Sequence, residues 1–194
     1  MAELLYQGHG SFRIISNQGV VIYVDPYVGN GYDIPADIVI ITHEHHDHNH
    51  IELVTLKEDA VVLRHGDLFN NGEYQTKKIK NVLIEGTPAE NKNHNRDECV
   101  GFIMTVDGKT LYGAGDTSYI PEMTTFNDLD YALLPVDGIY NMDAKEASRC
   151  ANVIDARYVI PIHTSPEKIY DEEIAKQFKS TRALYLKPGQ VIRL

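Results

Sequence analysis

Apolar positions along this chain fall in short runs, not in the long 3.6-residue stripes of a helical bundle. Ser11–Ile15 and Val20–Val24 are rich in aliphatic and β-branched residues and flank Asn17-Gln18-Gly19, a pattern that predicts a hairpin. Asp37–Thr42 is a continuous apolar run of strand length, which predicts a strand buried on both faces. A short helix is predicted over Ile51–Leu56, and strands over Ala60–Leu63 and Val82–Glu85. Cys99–Val106 and Thr110–Tyr112 form a second predicted hairpin about Asp107-Gly108-Lys109.

Tyr131–Leu134 and Tyr158–Ile162 read as further apolar strands. Between them Asp143, with Glu146 three residues on, predicts a capped helix running to about Ile154, with Ala147, Cys150, Ala151 and Ile154 on one face. A second helix is predicted over Glu167–Lys179, opened by Pro166 and carrying acids in its early turns. The tail, with Leu184, Leu186, Val191 and Ile192 around Pro188-Gly189, predicts a closing pair of short strands. Antiparallel strands followed by β/α alternation predict sheets in the middle and helices outside. No internal repeat or low-complexity tract is visible, and no linker-like stretch divides the 194 residues, so one domain spanning 1–194 is expected.

Composition narrows the classes. With 43% hydrophobic and 24% charged residues the chain reads as globular. No apolar run approaches the roughly 20 residues of a membrane span. Met1–Leu5 lacks the basic flank and apolar stretch of a secretory leader, so a cytoplasmic location is expected. Lys and Arg number 18 against 28 Asp and Glu, a net charge of −10 that disfavours long nucleic acids and anionic membranes as partners. Cys99 and Cys150 are far apart and outside any CxxC pair, so they are expected to be reduced core residues. Nothing in the sequence marks a surface patch that would fix an oligomeric state.

The chemistry concentrates at Thr42-His43-Glu44-His45-His46-Asp47-His48, directly after the buried strand. The spacing HxHxDH lets His43 and His45, two apart, project to one side and grip one ion, while Asp47 and His48 past a turn face a second. Imidazole nitrogen and carboxylate oxygen suit a borderline divalent cation such as zinc. Such a cluster without a metal would be a desolvation burden.

Further motifs follow in order: Gly8-His9-Gly10-Ser11-Phe12, Val24-Asp25-Pro26, Pro88-Ala89-Glu90-Asn91 with His94, Gly113-Ala114-Gly115-Asp116-Thr117, and Pro161-Ile162-His163. With the histidine cluster they resemble, over nearly the whole chain, the metallo-β-lactamase superfamily of metal-dependent hydrolases. The likeness is greatest to its compact members grouped with the ascorbate-6-phosphate lactonase-like proteins. The resemblance implies an α/β four-layer αββα sandwich with a two-metal site at one edge. It implies that His43, His45 and His94 hold one metal, that Asp47, His48 and His163 hold the other, and that Asp116 bridges them. It further implies two divalent ions, zinc first with manganese or iron as alternatives, and a water or hydroxide between them as nucleophile, with Asp47 as proton acceptor. The implied substrate is a small ester, lactone or phosphoester. Two alternatives stand beside this reading: a phosphodiesterase or nuclease for short or cyclic substrates, and a metal-binding regulatory protein without turnover.

Other polar residues divide by position. Asp25 is the candidate to orient a ligand, because its strand should end near the cluster. His9 reads equally as a hydrogen-bonded structural histidine or as a pocket residue. Glu44, His46 and His50 are out of phase and read as bystanders, and His65 beside Gly66-Asp67 reads as surface. Tyr140, Asn141, Met142 and Asp137 read as pocket or loop residues, and Asp143 as a helix cap.

Overall fold

Period-two alternation sorts the strand residues between two cores. Within Tyr131–Leu134, Tyr131 and Leu133 join a core between two sheets, while Ala132 and Leu134 face outward into a second. Ile38 and Ile40 join the same central core, and Val39 and Ile41 point the other way.

The computed structural model describes residues 1–194. The chain begins with β1 (Glu3–Gly8), β2 (Ser11–Ile15), β3 (Val21–Val24), β4 (Ala36–Ile40) and β5 (Leu56–Leu63). A four-residue helix, α1 (His65–Leu68), and a small ribbon of β6 (Phe69–Asn70) and β7 (Glu73–Tyr74) follow. Next come β8 (Thr76–Ile79), β9 (Val82–Pro88), β10 (Val100–Val106), β11 (Lys109–Gly113) and β12 (Leu129–Pro135). The chain closes with α2 (Ala144–Val153), β13 (Ala156–Ile162), α3 (Glu172–Ala175) and β14 (Val191–Arg193).

One sheet has the order β14-β1-β2-β3-β4-β5 and the other β8-β9-β10-β11-β12-β13. In both, the first three pairings are antiparallel and the last two parallel. The two halves thus repeat one topology, although no repeat is visible in the sequence. The sheets face each other across the central core, and α2 covers the outside of the second sheet with Ala147, Cys150 and Ala151. The outside of the first sheet is covered more thinly, by a 3-10 turn at Ile51–Leu53 and the segment carrying Tyr32 and Ile34. This is the αββα sandwich.

Three elements differ from the sequence-based expectation. The predicted helix over Glu167–Lys179 shrinks to α3, because Ile169 O accepts from His9 N (2.7 Å) and Thr164 Oγ1 accepts from Asp171 N (2.6 Å). These bonds hold the segment in a series of bends until Asp171 caps the helix through the amides of Glu173 and Ile174. The predicted helix over Ile51–Leu56 is only the 3-10 turn, after which Leu56 already belongs to β5. The tail forms one strand, β14, paired with β1, in place of a closing strand pair. Asp143 caps α2 as predicted, accepting from Glu146 N at 2.7 Å.

Asp37 ties the sheets together. This buried carboxylate accepts from Val21 N (2.8 Å), from Lys57 Nζ on β5 (2.6 Å) and from Lys80 Nζ in the β8–β9 turn (2.5 Å). Burial alone would raise its pKa, but the two ammonium groups prevail and hold it at about 2. Folding lowers this pKa, so the stabilisation is present above the ordinary value of 3.8 and fades as pH falls toward 2. Asp37→Asn is expected to lose on the order of 1–2 kcal/mol at pH 7. In urea denaturation the gap to the parent protein should close between pH 4 and pH 2; a constant gap would place the effect elsewhere.

Candidate metal centre

Antiparallel pairing brings the end of β1, the start of β2 and the end of β3 to one edge, and parallel pairing adds the end of β4. The second sheet repeats this with β9, β10, β11, β12 and β13. The predicted chemistry sits at these ends: His9 between β1 and β2, Asp25 after β3, His43–His48 after β4, His94 between β9 and β10, Asp116 after β11, and His163 after β13.

All seven residues proposed from the sequence come together. Donor atoms of His43, His45 and His94 lie within 4.8 Å of one another, as do those of His9, Asp47, His48 and His163. Asp116 lies between the groups with its two oxygens divided. Oδ2 is 3.9 Å from His43 Nε2 and 3.6 Å from His94 Nε2, while Oδ1 is 3.4 Å from His48 Nε2 and 3.7 Å from His163 Nε2. Glu44 points away to Arg64 (2.6 Å), and exposed His46 and half-buried His50 stand outside both groups. His65, predicted as surface, is half-buried with its Nε2 3.1 Å from Arg96 O.

Hydrogen bonds fix which ring nitrogen each histidine turns inward. His48 Nδ1 donates to Asp25 Oδ2 at 2.9 Å, and His94 Nδ1 donates to Asn91 Oδ1 at 2.9 Å. Thr42 Oγ1 gives its proton to Asp25 Oδ2 (2.8 Å), so its lone pair accepts from His43 Nδ1 (3.0 Å). His163 Nδ1 lies 3.0 Å from Asp137 Oδ2, an ion-pair contact that lacks hydrogen-bond geometry. Each of these rings therefore turns Nε2 toward the shared space, and the Nε2 atoms of His43, His48 and His163 are buried without any protein partner. Buried acceptors left unpaired are costly. A set of imidazole lone pairs converging on two carboxylates fits divalent cations.

Burial and charge act together here. His163, buried among Asp116, Asp137 and Asp47, is pushed up to about 10 against its desolvation. Desolvation holds His43 well below the ordinary histidine value, and the neighbouring imidazoles add to this. Asp47 and Asp116 resist the upward push of burial and stay far below the carboxylate range, held there by the surrounding imidazoles.

The backbone is bent to bring these groups in. His9, Asp25 and His163 all have positive φ (53°, 43° and 47°), a conformation that costs non-glycine residues energy and recurs at functional sites. Gly10 has no side chain where a Cβ would come within 3.0 Å of the His48 ring. His9 is fully buried, places Nε2 3.1 Å from Asp47 Oδ2, and tilts its ring over His163 with centroids 3.8 Å apart. Its main-chain oxygen accepts from His163 N (2.8 Å) and Tyr6 Oη (2.9 Å), so His9 is both pinned structurally and in contact with the cluster.

Sequence reasoning missed the parts played by Asp137 and Asn91. Asp137 follows a buried strand that ends at the same edge, the signal that singled out Asp25. Its Oδ1 also accepts from Ile139 N and Tyr140 N, both at 2.7 Å.

The model of the beta-lactamase superfamily domain matches residues 3–163. Among whole-chain relatives, a UPF0173 metal-dependent hydrolase of Methanoculleus marisnigri is 32% identical, with 99% of this chain and 96% of that protein covered. That of Thermococcus kodakarensis is 29% identical, with both proteins covered completely. A solved structure from Parabacteroides distasonis is 30% identical with a TM-score of 0.76, covering 93% of this chain and 90% of the other. Igni18, a metallo hydrolase of Ignicoccus hospitalis, is 25% identical with a TM-score of 0.77, covering 98% and 97%. The chain belongs to the metallo-β-lactamase superfamily, among its metal-dependent hydrolases.

Proposed function

We propose that the chain hydrolyses a small ester, lactone or phosphoester at a centre of two divalent cations. The division of the Asp116 oxygens between two imidazole groups carries this reading, because one carboxylate so placed can serve two cations. His43, His45 and His94 then hold one, Asp47, His48 and His163 the other, and Asp116 both. The donor set contains no thiolate, and zinc suits it first, with manganese and iron as alternatives. Bound there, the cations would supply an acidified water and offset negative charge growing on the scissile group.

The chain's own residues do the orienting. Hydrogen bonds from His48, His43 and His94 to Asp25, Thr42 and Asn91 turn each Nε2 inward, and Asp137 places its charge beside His163 Nδ1. His9 holds Asp47 Oδ2, and Asp47 is the more exposed of the two buried-side carboxylates, at the floor of an open cleft. Asp47 Oδ2 lies 3.6 Å from His163 Nε2 and 3.9 Å from His48 Nε2, a placement that suits it to hold a cation with them.

Elemental analysis of protein purified without added chelator should give two metals per chain. Zinc-loaded protein should turn over at least one compound from panels of lactones, aryl esters and phosphodiesters, and His48→Ala should abolish that turnover. One metal per chain would overturn the two-cation assignment. Inertness across every panel would leave a metal-binding protein without turnover.

A further inference from the structure

Two large hollows open onto the cluster, beside a small enclosed cavity behind His48, Asp116 and His163, and only one of the two reaches both histidine groups. The first, about 480 Å³, touches His43, His45 and His94 alone, and its Arg64 is already paired with Glu44. The second, about 500 Å³, meets His45 and His94 of one group, Asp47 of the other, and Asp116 between them. A substrate addressed by both cations enters through the second cleft.

The chemistry of its outer wall is selective. Ile139, Tyr140 and Pro166 supply apolar surface, Asn93 supplies an amide, exposed His46 supplies an imidazole on the Asp47 side, and Glu167 supplies a carboxylate that makes no ion pair. No lysine or arginine lines the cleft. The cations on flanking segments are turned to acids: Arg96 to Glu90 (2.7 Å) and Glu122 (2.5 Å), and Lys168 to Asp171 (2.7 Å). Lys92 is exposed and outside the lining.

This wall is held in place. Asp137 Oδ1 takes the amides of Ile139 and Tyr140, Asn93 Nδ2 donates to Tyr140 O (3.0 Å), and Asn141 Nδ2 donates to Asp137 Oδ2 (2.7 Å). A loop with its main chain so fully bonded nevertheless leaves Ile139 54% and Tyr140 49% exposed. Apolar side chains displayed on a fixed loop beside a reactive centre are what a binding wall requires.

We propose that this cleft selects substrates whose non-reacting portion is uncharged or cationic with an aliphatic or aromatic face, and rejects those that carry a second anionic group. This rests on the hydrolytic function proposed above and narrows its substrate class: aliphatic or aryl esters and lactones fit the wall, and sugar phosphates or nucleotides with a further phosphate do not. A second anion reaching the Tyr140 and Pro166 side of the wall would find Glu167 and no lysine or arginine.

Binding of hexanoate and adipate to zinc-loaded protein, followed by isothermal titration calorimetry, tests the preference without requiring turnover. Both present one carboxylate to the metals and differ in the tail. Hexanoate should bind about tenfold tighter. Glu167→Lys should shrink that ratio to less than about threefold or reverse it, and Tyr140→Ala should weaken hexanoate more than adipate. Adipate binding as tightly as hexanoate, or a ratio that neither variant moves, would overturn the proposal. Absence of turnover on all panels would sink the hydrolytic reading, while the hexanoate and adipate ratio would still decide this one.

Discussion

Asp116→Ala is expected to lower bound metal from the proposed two per chain to one or none, and to cut the proposed hydrolysis by more than the ~10–100-fold typical of losing a group that merely orients a ligand. The residue is nearly inaccessible, with both oxygens turned into the cluster. Removing it leaves the Nε2 atoms of His43, His48, His94 and His163 facing one another without their common anion. Asp116 is the leading charge that raises the pKa values of His48 and His163. Its main-chain oxygen still accepts from Cys99 Sγ (3.4 Å), and the preceding Gly115, at φ 62°, keeps the loop shape. Asp116→Asn separates charge from volume. It fills the same space, yet it should fail to hold two cations, as read by elemental analysis and by kcat/KM on the same protein samples. Two metals and full turnover in Asp116→Asn would remove Asp116 from the shared position.

The same residues show how far local sequence carries. His43, His45, Asp47 and His48 were legible because one strand end supplies all four, and a strand followed by HxHxDH has few other uses. His163 and Asp116 were legible for a related reason, since each follows an apolar strand, and parallel strands that end together bring their next residues together. Of the orienting contacts only that of Asp25 was legible, from its place after a strand expected to end near the cluster and not from spacing, since it lies 23 residues from His48. Asn91 reaches His94 within three residues, but Asp137 reaches His163 across 26 and His9 reaches Asp47 across 38, distances that no spacing rule spans.

The fold shows the same limit. Strand β4 announces itself because both of its faces are buried. Strand β8, Thr76-Lys77-Lys78-Ile79, has one apolar side chain and exists through its pairing with β9, so its sequence carries almost no strand signal. The helix expected over Glu167–Lys179 had sound local signals, Pro166 and early acids, and was overruled by tertiary bonds from His9 and Thr164. The repeat of one sheet topology in the other stayed hidden because only single residues correspond at equivalent ends, without a shared motif around them. His9 occupies the β1–β2 connection and His94 the β9–β10 connection, yet their flanking sequences share nothing that a reader of either would notice.

Asp25→Ala should damage folding and metal binding together, and Asp25→Asn should pull the two apart. Asp25 is buried and accepts from Thr42 N (2.7 Å), Thr42 Oγ1 (2.8 Å) and His48 Nδ1 (2.9 Å). Alanine leaves these donors without a partner, each at about 1–3 kcal/mol where it stays buried and unpaired. Thr42 Oγ1 can rotate to another acceptor, so a loss on the order of 3 kcal/mol is expected in denaturation of metal-free protein. The second effect runs through His48. Without the Asp25 carboxylate its Nδ1 is no longer held as the donor, the inward Nε2 loses its fixed tautomer, and the cation shared with Asp47 and His163 should bind ~10–100-fold more weakly. Asparagine keeps one carbonyl oxygen for Thr42 N and so recovers much of the stability, but it lacks the charge that draws the His48 proton. A metal titration of both variants decides the matter: if affinity is unchanged in each while alanine alone destabilises, Asp25 serves the turn after β3 and not the metal centre.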